Sequence, residues 1–90
     1  MHNYGYSDKL KEILEKLFKK DKSLYEQLMK KIQEIINSES LEHYKNLRYN
    51  LKEFKRIHIE HFVLVFKCDE IKNLISFEDF EHQDNIYKKR

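Results

Sequence analysis

The chain has 90 residues, of which 40% are hydrophobic and 38% charged, and its formal net charge is +2. This length allows a single domain spanning residues 1–90, and six Tyr and six Phe supply apolar surface for a compact core rather than a disordered chain. No apolar run approaches the roughly 20 residues that a membrane helix needs, so we expect no membrane partner. The single glycine excludes a glycine-rich nucleotide-binding loop.

The compartment is indicated by the cysteine content and the N-terminus. The only cysteine, Cys68, excludes an internal disulfide and suggests a reducing compartment. The N-terminal residues lack the basic region and the apolar region of a signal peptide. We therefore expect a cytoplasmic protein.

Two amphipathic helices are predicted in the first 40 residues. Ser7 can cap the first helix, and Lys19 and Lys20 suit its C-terminal end. Asp21 or Ser23 can cap the second helix, and the short link between the two predicts an antiparallel hairpin. The apolar stripes that define the helices are Leu10, Ile13, Leu14, Leu17 and Phe18 in the first, and Leu24, Leu28, Ile32, Ile35 and Ile36 in the second.

After Ser40 the sequence pattern changes to that of strands. Residues 54–59 alternate between apolar and polar side chains, and residues 62–67 are rich in aromatic and β-branched types. Glu60-His61 is the predicted tight turn between these two strands.

Further strands and a helix complete the predicted fold. Asp69-Glu70 is predicted as a turn before a third strand at 74–77, and a fourth strand is predicted at 43–47 or at 2–6. Asp84 can cap a short C-terminal helix. The sequence thus predicts an α+β fold, with an N-terminal antiparallel helical hairpin packed on one face of an antiparallel β-sheet. The other face is expected to stay open.

Positive charge is concentrated in the middle of the chain. Residues 45–58 carry five Lys or Arg residues against a single acid, and Tyr44, Tyr49 and Phe54 are interleaved with them. Cations attract phosphates and aromatic rings stack on unpaired bases, which indicates a nucleic-acid surface. A solvated strand edge kept soluble by lysines explains the same pattern.

A metal site is not predicted. His58 and His61 are three residues apart, so on one strand they would lie on opposite faces, and no second cysteine is present. Cys68 ends an apolar strand and is interpreted as structural.

Arg56 and His58 form the candidate site on residue chemistry alone. They share a strand face about 7 Å apart, a separation from which both reach one phosphodiester. RNA carries its own 2′-OH nucleophile, so a protein has only to supply a base, an acid and a cation for the phosphorane charge. Exposed polar residues of an amphipathic strand remain the alternative interpretation.

The ordered set of segments resembles the RelE/ParE superfamily of toxins from toxin–antitoxin operons, over nearly the whole chain. The segments that carry the resemblance are residues 44–59, 62–66, 75–77 and 82–89, together with the helical hairpin. The resemblance implies an α+β toxin that enters the ribosomal A site, cuts mRNA without a metal or other cofactor, and is neutralised by a cognate RelB-like antitoxin. The apolar faces of helices 8–20 and 23–37 are candidates for the surface that the antitoxin covers.

The same resemblance implies roles for individual residues. Arg56 would stabilise the phosphate charge, His58 would be the general base and Tyr87 would stack on a base near the cut. The residues expected to bind RNA are Arg48, Lys52, Lys55 and His82.

Two positions depart from the family pattern. Val63 and Gln83 stand where nuclease members usually have arginines that serve phosphate binding or protonation of the leaving oxygen. Two alternatives therefore stay open beside the nuclease: a ParE-like toxin that inhibits DNA gyrase by binding, and a degenerate toxin that only binds its antitoxin.

Overall fold

A computed structural model describes residues 2–39, 45–46, 54–69 and 71–88, and within them it forms an α+β fold. The elements in chain order are β1 (Asn3–Tyr6), α1 (Asp8–Lys20), α2 (Lys22–Asn37), β2 (Lys45–Asn46), β3 (Phe54–Ile59), β4 (Phe62–Asp69), β5 (Leu74–His82) and α3 (Gln83–Lys88). The predicted fold class is confirmed. No helix in these ranges is both long enough and apolar enough to cross a membrane.

The helical hairpin begins and turns at side-chain caps. Ser7 Oγ accepts from the backbone N–H of Leu10 at 3.0 Å, which satisfies one of the free donors at the start of α1. Asp21, rather than Ser23, caps α2: its Oδ1 accepts from Leu24 N at 3.1 Å. Asp21 is also the only residue between the two helices, so the hairpin turns tightly there.

The sheet has five strands in the order β1-β5-β4-β3-β2. Neighbours from β2 to β5 are antiparallel, as predicted, whereas β1 pairs in parallel with β5 and makes the sheet mixed. A strand lies within each of the two candidate fourth-strand ranges, one at each edge: β1 within 2–6, and β2 at the two residues of 43–47 that the structure describes. The two helices connect β1 at one edge of the sheet to β2 at the other.

The helical hairpin packs on one face of the sheet and encloses the main core. A β-bulge helps to build this face. Val65 pairs with Asp79 but Phe66 pairs with Phe77, so β5 has one extra residue at this point. The extra residue lets Phe77 and Phe80 both face the helices. The buried core side chains include Leu10, Leu28, Ile32, Ile35, Leu64, Phe66, Ile75, Phe77 and Phe80.

The opposite face of the sheet is partly covered by α3, and we call it the α3 face. Ile86 of α3 packs on Val63 and Val65 of β4, and all three side chains are buried, with Phe54 packed beside them. The expectation of a fully open face is therefore wrong in part. The packing of α3 on β4 removes the apolar side chains of Val63, Val65 and Ile86 from water, which favours the closed arrangement.

Candidate functional site

Arg56 and His58 lie next to each other on the α3 face. Arg56 pairs with Val65 and His58 pairs with Val63, and directly paired residues project from the same face of a sheet. The two residues are separated by one position on β3, which corresponds to about 7 Å along the strand. His58 is exposed and Arg56 is half-buried. The sequence-predicted pair is thus brought together beside the cover formed by α3.

A backbone hydrogen bond and the packing of Ile86 hold α3 against the sheet. Gln83, the first residue of α3, donates from its backbone N–H to His61 O at 2.9 Å. Ile86 then packs into the α3 face. Tyr87 directly follows Ile86 in this helix, so the helix that covers the face also carries the third predicted catalytic residue.

The described residues predicted to bind RNA do not lie on the face that carries Arg56 and His58. Lys55 pairs with Phe66 and His82 pairs with Phe62, so both project to the side of the helical hairpin, opposite Arg56 and His58. Arg48 and Lys52 lie outside the described residues.

Two carboxylates on the α3 face were missed by sequence reasoning. Asp79 pairs with Val65 and Glu81 with Val63, so they face the same side as Arg56 and His58. Burial is the main cause that raises the pKa of Asp79 above its usual range; a hydrogen bond from Lys9 lowers it and the neighbouring Glu81 raises it. The predicted third strand ended at residue 77, before this acidic stretch, which is why the pair was missed.

His61 and His82 meet at the β3–β4 turn. Their rings stack with centroids 6.3 Å apart, and Phe62 meets the His82 ring edge-on at 5.6 Å. The backbone N–H of Asp84 donates to His82 Nδ1 at 3.3 Å. Within the part of the chain that the structure describes, no group of three or more His, Cys, Asp or Glu side chains could hold a metal ion.

Comparison with known proteins identifies the family. No family model matches the chain. A relative from Methanocaldococcus jannaschii, named "Putative toxin RelE4", is 46% identical over 91 residues, covering 100% of this chain and 95% of its own length. The chain belongs to the RelE family of toxins. A second relative of this RelE-family toxin, from Methanosarcina mazei, is 45% identical over 81% of the chain and 84% of its own length, and is named only as an uncharacterized protein.

Solved toxin structures share the fold of this RelE-family toxin. YafQ from E. coli superposes with a TM-score of 0.72 at 22% identity, covering 97% of this chain and 99% of YafQ. A metal-bound toxin from Helicobacter pylori gives 0.75 at 21%, with 96% and 99% covered. The toxin–antitoxin complex RelBE from E. coli gives 0.67 at 20%, with 91% and 96% covered.

The two departures from the family pattern lie where α3 meets the sheet. Val63 is fully buried beneath Ile86, next to His58 on the neighbouring strand. Gln83 is half-buried and begins α3. In this RelE-family toxin the first position therefore contributes packing, and the second contributes the backbone bond that anchors the helix.

Proposed function

We propose that this RelE-family toxin is a metal-independent endoribonuclease that acts in the cytoplasm, cuts mRNA in the ribosomal A site and so inhibits translation. The observation that carries the proposal is that Arg56 and His58 lie next to each other on the α3 face, with His58 exposed to solvent. A cation and a group that can take up a proton are thus within reach of one phosphodiester.

The proposed reaction uses the 2′-OH of the RNA as nucleophile. His58 takes the 2′-OH proton while the 2′-oxygen forms a bond to phosphorus. The phosphorane charge is stabilised by Arg56, whose guanidinium matches phosphate geometry. The bond from phosphorus to the 5′-oxygen then breaks, leaving a 2′,3′-cyclic phosphate, and the imidazolium of His58 or water protonates the leaving oxygen. No metal or cofactor enters this step.

The remaining residues are assigned supporting roles in the proposal. Tyr87 stacks on a base next to the cut, which holds the phosphate in line. Arg48, Lys52, Lys55 and His82 bind the backbone of mRNA or ribosomal RNA. Lys55 and His82 project from the face of the sheet opposite Arg56. They would therefore contact a different RNA segment from the one that is cut.

One observation favours the second candidate function, a ParE-like toxin that inhibits DNA gyrase by binding. Val63 is fully buried where nuclease members usually have an arginine. The α3 face therefore has one fewer phosphate-binding cation than those members. A toxin that acts by binding alone has no need of that charge.

An antitoxin is the proposed protein partner. The structural relatives include toxin–antitoxin complexes from E. coli, Staphylococcus aureus and Mycobacterium tuberculosis. On this chain Phe18 is half exposed, and with Leu14 and Tyr25 it lines a shallow apolar depression of about 370 Å³ between α1 and α2. An apolar helix of a RelB-like antitoxin fits such a depression. Phe18→Ser should weaken co-purification with the antitoxin, whereas Lys30→Ala, on an exposed part of α2, should not.

The nuclease is tested by adding the purified chain to programmed ribosomes and mapping mRNA ends by primer extension. Wild type should cut within the A-site codon, and mRNA without ribosomes should stay intact. Arg56→Ala and His58→Gln should each slow cleavage by about 100-fold or more, and Tyr87→Phe should keep the stacking and much of the rate.

Lys30→Ala is the matched control because it removes an exposed cation far from the α3 face. It should cut at the wild-type rate. Intact mRNA at toxin concentrations where E. coli RelE cuts would overturn the nuclease proposal. Inhibition of gyrase supercoiling by wild type and His58→Gln alike would then establish the second candidate.

A further inference from the structure

A cavity of about 610 Å³ opens on the part of the α3 face that the helix does not cover. The strand residues that line it on this face are Lys67 and Asp69 of β4 and Leu74 and Ser76 of β5. Lys67 pairs with Ser76 and Asp69 pairs with Leu74, while the alternate residue Ile75 is buried in the helix-side core. The cavity is therefore on the same side of the sheet as Arg56 and His58.

The cavity is next to the candidate phosphate site. Arg56 pairs with Val65, so Lys67 is its diagonal neighbour on β4, at a Cα separation of about 7–8 Å. Lys67 Nζ is 5.4 Å from the centroid of the Phe54 ring. Phe54 itself packs against the Val63, Val65 and Ile86 cluster. The ring thus positions the ammonium at the border between the cavity and the phosphate site, because a cation is attracted to an aromatic face.

The walls of the cavity include an apolar and a polar side chain of β5. Leu74 offers a half-buried apolar side, and Ser76 offers a hydroxyl that can donate and accept. Gly5 of β1 pairs with Ser76 and adds no side chain next to the serine. The volume lies in the range of small-molecule sites, about 300–1,000 Å³.

We propose that this cavity is a nucleotide subsite for the RNA strand whose scissile phosphate is held at Arg56. Lys67 binds the neighbouring phosphate, and the attached nucleoside enters the cavity between Leu74 and Ser76. This inference rests on the proposed function, because the strand is the mRNA that is cut. It adds a residue set that sequence reasoning did not find.

Charge and position favour a nucleotide over a protein segment. Lys67 and Lys72 supply two cations at the cavity against one carboxylate, Asp69, whose Oδ1 accepts from Lys72 N at 3.1 Å within the turn. A peptide strand docks along an unpaired sheet edge, whereas Lys67 of β4 and Leu74 and Ser76 of β5 are each paired with residues on both sides. A phosphate beside Lys67 needs no sheet edge.

The subsite is tested by NMR titration of the isolated protein with a 2′-O-methyl trinucleotide, which lacks the nucleophile and cannot be cut. Saturable shifts should appear at the amides of Lys67, Leu74 and Ser76. Lys67→Gln should raise the dissociation constant about fivefold or more, because a charge-assisted bond is lost. Ser76→Leu should do the same by filling the cavity while leaving the charge unchanged.

Lys30→Gln is the control for general loss of positive charge and should bind as wild type does. Retained amide dispersion in each variant shows that it is folded. Shifts confined to the helices, or binding unaffected by both Lys67→Gln and Ser76→Leu, would overturn the subsite even if ribosomes are cut. Binding in the cavity without cleavage of mRNA on ribosomes would instead support the nucleotide subsite and overturn the proposed nuclease activity.

Discussion

Lys9 in the first turn of α1 binds Asp79 on the α3 face, with Nζ 3.0 Å from Oδ2. The same ammonium is 3.2 Å from Glu81 Oε2, so one cation holds two carboxylates that project from the same side of β5. The side chain of Asp79 is only 15% exposed. Its burial outweighs the effect of Lys9 on its pKa, and the carboxyl group therefore holds its proton more strongly than usual.

This raised pKa predicts a dependence of stability on pH. Above the ordinary pKa of 3.8, the unfolded chain loses the Asp79 proton while the folded chain still keeps it. The free energy of unfolding should therefore fall as pH rises through the window between 3.8 and the folded pKa. Asp79→Asn should reduce this fall, as measured by urea denaturation at a series of pH values from about 4 to 7.

Lys9→Met provides the opposite change for the same measurement. Because the hydrogen bond from Lys9 lowers the pKa of Asp79, Lys9→Met should raise that pKa further. The free energy of unfolding should then keep falling to a higher pH than in wild type. Identical pH profiles for wild type and Asp79→Asn would show that another group is responsible.

His2 ties the N-terminus to two distant parts of the chain. Its Nδ1 is 2.7 Å from Asn73 Oδ1, and its Nε2 donates to Ser38 O at 2.7 Å. His2→Ala should lower the free energy of unfolding by about 1–2 kcal/mol, because the two side-chain hydrogen bonds of His2 are lost. Urea denaturation measures this, with Glu39→Ala as an exposed neighbouring control. Equal midpoints for the two variants would contradict the prediction.

Glu60 in the β3–β4 turn has a positive φ of 57°. Asn adopts this left-handed conformation readily, whereas a β-branched residue is strained in it. Glu60→Val should therefore be less stable than Glu60→Asn by about 1 kcal/mol. Both variants lose the exposed hydrogen bond from Gln27 Nε2 to Glu60 Oε2. The difference in stability between them therefore reports the cost of the left-handed backbone conformation at this position. Thermal or urea unfolding of the pair checks it, and equal stabilities would show that the turn adopts another conformation.

Local signals in the sequence were enough to predict the hairpins of the fold. The residue type and position of Ser7 predict its role as a helix cap. The two-residue period of a strand predicts that Arg56 and His58 lie on the same face. Contacts between distant segments were not predictable in this way. The bulge opposite Val65 and the packing of Ile86 depend on how β4, β5 and α3 meet in space. The cover on the α3 face and the Asp79–Glu81 pair follow from these contacts.

Restoring the family arginine at position 63 should destabilise this chain. Val63 is fully buried under Ile86, so Val63→Arg places a charge where α3 packs and should cost about 3 kcal/mol of unfolding free energy. Ile86→Ala opens space for the new side chain to reach solvent, so the double variant should lose less than the sum of the single losses. Urea denaturation of the four proteins measures this coupling. Strict additivity would show that α3 does not confine the side chain at position 63.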